Sequence, residues 1–256
     1  MEALVVLGLA VAVVSAVRGI WSPCGLSMLS SITPMTEAGR GYRFAATARW
    51  FVVGAVVGGA CTGAVAAGGA AALHAAGVGA STRLAIGAAV ALVTAGIDLG
   101  AFGIELPIFK RQVNDAWLRR YRSWVYGAGF GWQIGTGVAT YIMTAGVFLT
   151  IALAVLTASA PAALAIGLAF GAVRGSAVYL GRSASTPAAL GAVHARLDAW
   201  GPGARAAAAA VQVLAAVVLA GLAWGPVAAA VVAVAGLGAA WVGRAAGRRT
   251  PTQASA

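Results

Sequence analysis

The residues of this chain with chemistry to offer are two cysteines and a few charges set in apolar sequence. Cys24 follows Pro23 in the run Arg18-Gly19-Ile20-Trp21-Ser22-Pro23-Cys24-Gly25-Leu26. Proline brings no amide hydrogen and crowds the preceding turn, so it opens a helix beside the thiol. Ser22, Ser27, Ser30 and Ser31 can satisfy the freed backbone groups or line a small cavity there. A thiol beside a break suits thiol-disulfide exchange, but a relay within one chain needs a second, resolving thiol. The other cysteine is Cys61, near the middle of a later apolar stretch. It is either a partner for Cys24, which needs Cα atoms within about 7 Å, or a small apolar residue packed inside a span.

Asp98, Arg174 and Arg18 also fall within apolar stretches, where ionisable groups are costly and mark functional sites by default. An Asp98 to Arg174 or Asp98 to Arg18 ion pair is allowed by their expected depth. Alternatively the arginines snorkel to the headgroups and Asp98 caps locally. Gln133 and Thr136 add polar groups to another stretch and, with Asp98 and Arg174, could line a path for a solute. His74 and His194 fall in loops on opposite sides, so no cluster has metal-ligand spacing. There is no phosphate-binding glycine loop and no nucleophile elbow, so neither a cofactor nor a metal is expected.

The elements that must carry these residues follow from composition. Of 256 residues, 61% are apolar, 36 are glycine and only 9% are charged, against about 25% charged in a soluble domain. So little charge cannot cover a water-soluble surface, and the apolar content excludes disorder. The chain is therefore expected to be an all-α integral membrane protein, one transmembrane domain over 1–249 with a disordered tail at 250–256. A spanning helix needs about 20 apolar residues, and seven stretches qualify: 3–20, 50–72, 84–104, 125–157, 161–180, 206–223 and 226–243. The fourth is too long for one straight span and must be kinked, tilted or partly re-entrant. Trp224-Gly225-Pro226 suggests a hairpin between the last two, with one long kinked helix as the alternative. The first stretch reads as a retained span, because Met1-Glu2 supplies no basic region of the signal-peptide kind. Gly54 and Gly58 share one helix face and suit a close helix contact.

The net charge of +11, from 17 basic and 6 acidic residues, is an orientation signal. Arg40, Arg43 and Arg49 follow the first span; Lys110, Arg111, Arg119, Arg120 and Arg122 follow the third. Arg182, Arg196 and Arg205 follow the fifth, and Arg244, Arg248 and Arg249 follow the seventh, while the intervening loops hold only Arg83. Basic loops stay in the cytoplasm, which places the N-terminus outside and the C-terminus inside a cytoplasmic membrane. The partners expected on this ground are membrane lipids and not nucleic acid. Val113 to Trp124, with aromatics among arginines, reads as an amphipathic helix on the inner leaflet.

Ser22-Pro23-Cys24-Gly25-Leu26, a segment ending at Pro34, and a Gly-rich span opening Trp50-Phe51-Val52-Val53-Gly54 together resemble the CcdA-like membrane domain of thiol-disulfide electron carriers. The resemblance implies two three-helix halves of inverted topology, here 1–110 and 120–223, with 226–243 as an extra helix. In that family each half opens with a Pro-Cys kink. The two cysteines carry reducing equivalents from a cytoplasmic thioredoxin-like donor to extracytoplasmic thiol acceptors such as cytochrome c maturation proteins. The family's second motif, Gly-Trp-Thr-Pro-Cys, falls at Gly131-Trp132-Gln133-Ile134-Gly135 without the Pro-Cys pair. Laying Trp21 on Trp132 sets Cys24 opposite Gly135; a shift of one residue sets it opposite Thr136. Ser27 stands where the family carries a proline after its first cysteine. The resemblance thus implies a conduit of reducing equivalents in which Cys24 is the redox thiol. A small-solute or ion exporter of similar inverted layout, and a structural membrane protein without turnover, are the competing classes.

Overall fold

A computed structural model describes residues 2–103, 106 and 116–247, with side chains through Gly243. Lys110, Arg111, residues 113–115 of the expected interfacial helix, the side chains of the basic tail and residues 250–256 lie outside the described residues. All regular structure among the described residues is helical, with no strand. The helices are α1 (Glu2–Arg18), α2 (Pro23–Ser31), α3 (Pro34–Gly39), α4 (Phe44–Ala75), α5 (Ala80–Asp98), α6 (Trp117–Arg120), α7 (Ser123–Gly135), α8 (Gly146–Leu156), α9 (Ala160–Ser176), α10 (Pro187–Trp224) and α11 (Pro226–Gly247). Tight 3-10 turns at Gly19–Trp21 and Ala177–Ser183 follow α1 and α9. Six helical segments are long and apolar enough to cross a membrane, so this is a multi-pass membrane protein.

The fourth stretch is neither one span nor a simple kink: it is broken. α7 stops at Gly135 because Gly137 takes a left-handed conformation (φ +74°) and Thr136 Oγ1 accepts the Ala139 amide at 3.2 Å. That is a common way for a helix to end. The chain then runs without helix to Ala145, where α8 begins. Both half-helices run alongside α4 in its own direction. Gly58 meets the Trp132 carbonyl, Thr62 Oγ1 donates to the Thr136 carbonyl at 2.9 Å, and Gly69 meets Val155. Together α7 and α8 traverse the bundle once, beside the six continuous segments.

Glycine lets these helices touch backbone to backbone. In lipid there is little hydrophobic drive between helices, so close dispersion contacts take over. A Cβ at Gly131 would lie 2.0 Å from the Phe51 carbonyl oxygen, and one at Gly54 2.0 Å from that of Ala128. The other face of α4 meets α9 in the same way: Gly59 and Gly63 against Gly167 and Gly171. The contact expected at Gly54 and Gly58 is thus one side of a two-sided seam. α4 is parallel to α7 and antiparallel to α9, while α5 is antiparallel to both α8 and α10.

At the far end, Gly225 (φ +92°) reverses the chain, so α10 and α11 form the hairpin. Gly236 packs on Val213, and Gly221 on Ala229. Val231, Val234, Leu237 and Trp241 stay exposed on α11, as a lipid-facing helix requires. Trp50 and Trp124 lie 6.1 Å apart near the starts of α4 and α7, an aromatic pairing suited to the headgroup level. Of the expected interfacial helix, the described residues form the single turn α6 and the start of α7. Trp117 stacks on Phe130 of α7 at 6.0 Å, because an indole finds more contact on a helix than in headgroups.

Candidate functional site

The first break lies between α1 and α2. Ser22 is extended (φ −69°, ψ 151°), and its Oγ accepts the Gly25 amide at 3.0 Å, capping α2. Pro23 then occupies the first helical position, where no amide hydrogen is needed. Cys24 follows it, buried. Into this break α9 sends Arg174, itself only 4% exposed. It donates to the Ala16 carbonyl at 3.3 Å and to Ser22 Oγ at 3.1 Å, and it interacts electrostatically with Cys24. Gly19 makes the passage, since a Cβ there would lie 2.5 Å from Arg174 Nη1. Trp21 Nε1 donates to the Leu197 carbonyl at 2.8 Å, and Ser30 Oγ pairs with His194 Nε2 at 3.1 Å, fastening the segment to α10.

The second break is organised by Asp98, the last residue of α5. Its carboxylate accepts the Ala145 amide at 2.7 Å, Gln212 Nε2 at 2.6 Å and the Thr144 hydroxyl. An anion is thus held at the positive end of α8, where exposed amides and the helix dipole favour it. Thr144 Oγ1 also accepts the Gly146 amide at 3.0 Å. Ser15 of α1 faces the same point, its Oγ 2.3 Å from where a Gly146 Cβ would stand. The far end of α8 is held from α5 as well, by Arg83, which donates to the Leu156 and Thr157 carbonyls at 3.2 and 3.0 Å. Gln212 is 1% exposed, and its Oε1 has no partner among the described residues.

Pro23, Cys24 and Arg174 are therefore together. Asp98 is apart from Arg174 because each has bonded elsewhere. Neither ion pair allowed by the sequence forms within bonding distance; the one salt bridge among the described residues joins Arg40 to Glu37 at 2.8 Å. Arg174 does not snorkel, while Arg18 is half-buried within electrostatic range of Asp98 and Arg205. Cys61 is not a buried packing residue. It is exposed on α4, and no disulfide joins it to Cys24. Gln133 contributes its carbonyl, which accepts the Thr136 hydroxyl at 2.8 Å. Thr136 borders an apolar cleft between α4, α8 and α9, also lined by Thr62, Thr150 and Phe170. His74 and His194 are in helices, not loops. Among the described residues no group of three or more His, Cys, Asp or Glu could hold a metal.

Ser15, Thr144, Gln212 and Arg83 were not singled out as site residues from sequence, although Gln212 is visible as the lone polar side chain in 206–223. Glu37 was missed too. It is fully buried and accepts Tyr126 Oη at 2.6 and 2.8 Å, Arg40 Nη1 at 2.8 Å and the Thr47 hydroxyl, tying α3 to α4 and α7.

Over 166 residues the chain is 31% identical to methylamine utilization protein MauF of Paracoccus versutus. That alignment covers 63% of this chain and 59% of MauF, so the match spans about three fifths of that relative's length. No protein-family profile matches the chain, and no solved structure matches it.

Proposed function

We propose that this chain is a membrane protein serving amine utilisation, and that its working element is the Ser22-Pro23-Cys24 break, where Cys24 exchanges thiol for disulfide with partner proteins. The observation that carries the reading is the placement of Cys24 in the first turn of α2, whose capping residue Ser22 binds the buried guanidinium of Arg174. Reactive cysteines occur at helix N-termini and beside cations, where sulfur acts as a nucleophile. The similarity to MauF supplies the biological setting, and the resemblance to CcdA-like carriers supplies the reaction class.

One thiol suffices if both other thiols come from the donor. Cys24 sulfur attacks an acceptor's disulfide; that bond breaks, one acceptor thiol leaves, and a mixed disulfide forms. A thiolate of a thioredoxin-like donor then attacks the Cys24 sulfur and frees the acceptor's second thiol. The donor's other thiolate resolves the new mixed disulfide, leaving the donor oxidised and Cys24 restored. The two electrons come from the donor, and Cys61 takes no part. Because Cys24 is buried, each exchange requires α2 to part from its fastenings on α10.

The alternating basic loops support a cytoplasmic membrane with the N-terminus outside, and the resemblance to CcdA-like carriers supplies the cytoplasmic donor and the extracytoplasmic acceptor. The opposite running directions of α1, α4, α5 and of α7 with α8, α9, α10 support two inverted halves. The test is complementation of a deletion strain growing on methylamine, together with trapping of a mixed disulfide to a thioredoxin that lacks its resolving thiol. Cys24→Ser should lose both; full growth with Cys24→Ser would sink the thiol reading. A second reading, a cation carrier, is favoured by the Asp98 and Gln212 arrangement at the other break.

A further inference from the structure

We infer that the second break binds a small ammonium-type cation, with Gln212 Oε1 and the Asp98 carboxylate as its acceptors. The inference stands apart from the thiol reading, because no residue of the first break enters it.

Gln212 is the starting point. Its Nε2 hydrogens are both engaged, by Asp98 Oδ2 at 2.6 Å and the Ala208 carbonyl at 3.2 Å, while Oε1 is buried without a partner. Turning the amide over gives no relief, since it would press oxygen against the carboxylate and the Ala208 carbonyl. Buried polar atoms are nearly always satisfied, so this oxygen, which has no partner among the described residues, calls for a further donor. Asp98 beside it accepts three bonds, and a carboxylate offers about four lone-pair sites. Two neighbouring acceptors with spare capacity call for a ligand carrying N–H donors, and the carboxylate calls for positive charge.

The surroundings narrow the class further. Arg18 of α1 lies in electrostatic range of Asp98, and the amide end of α8 adds partial positive charge. Positive charge already faces the carboxylate, so an ion of single charge is disfavoured less than one of double charge. A divalent metal also needs six or more oxygen ligands, far more than this corner supplies. Ser15, Thr144 and Gly146 crowd the approach, so the ion must be small, such as ammonium or methylammonium. A water molecule is the neutral competitor, and the experiment separates the two.

The full chain in lipid nanodiscs would be titrated with radiolabelled methylammonium, with ammonium, sodium and tetramethylammonium as competitors. A single saturable site is expected, displaced by ammonium but not by sodium or by tetramethylammonium, which has no N–H. Gln212→Leu should weaken binding about tenfold, the loss expected for one hydrogen bond to a charged group. Cys24→Ser should bind as the parent does, so the two readings fail separately. Absence of saturable binding by the parent chain, the outcome if water alone fills the break, would overturn the inference. So would unchanged binding by Gln212→Leu. If that variant does not fold, the competitor series on the parent chain still decides, because displacement by tetramethylammonium or sodium removes the N–H argument.

Discussion

At the first break a buried cation from α9 meets the last carbonyls of α1; at the second an anion from α5 meets the first amides of α8. The sign of the charge follows from which end of a half-helix opens into the break, because carbonyl ends attract cations and amide ends attract anions. The two sites differ in how complete they are. Asp98 answers three donors, whereas Arg174 is a charge with no carboxylate bonded to it among the described residues. The second break is thus held together by its charge, whereas at the first the charge has no bonded counter-ion among the described residues.

The largest expected effect tests that asymmetry. Asp98→Leu strands the Thr144 hydroxyl, the Ala145 amide and the Gln212 amide in the interior, and should cost about 3–5 kcal/mol of unfolding free energy in detergent. Arg174→Met removes a buried charge along with two hydrogen bonds, so it should leave stability within about 1 kcal/mol while abolishing growth on methylamine. Equal losses from the two substitutions would break the comparison. Next come the seams through which α4 aligns both breaks. Gly131→Ala forces a Cβ against the Phe51 carbonyl and should cost about 1–3 kcal/mol. Gly68→Ala, on the same α4 with nothing within 4 Å, should cost nothing measurable by thermal unfolding. Arg83→Leu releases only the far end of α8 and should cost about 1 kcal/mol. The smallest measurable loss is that of Thr62→Val, which gives up one bond to the Thr136 carbonyl, for about 0.6 kcal/mol.

The bundle itself was legible, because the apolar stretches, the Pro23 break and the Gly225-Pro226 turn are local signals. The length of the fourth stretch announced an irregularity, but not a break between Thr136 and Ala145. No proline marks it, and Ile142 and Val147 keep the hydropathy high although they are buried by protein and not by lipid. The exposure of Cys61 was equally hidden, since both the lipid face and the packed face of a membrane helix are apolar. The partners of the charges come from helices distant in sequence: Asp98 meets Gln212 of α10, and Arg174 meets Ser22 beside α1. Glu37 went unnoticed because nothing nearby in sequence announces that Thr47 and Tyr126 will close over it.

Arg83 and Asp98 grip α8 at opposite ends, and this has a mechanical meaning. A slide of α8 along its axis in either direction pulls on one grip or the other, so α5 and α8 must travel as one strut, with α10 coupled to it through Gln212. The unwound chain from Thr136 to Ala145 is then the hinge between that strut and α7, and any opening of the bundle at this side is a rotation about it.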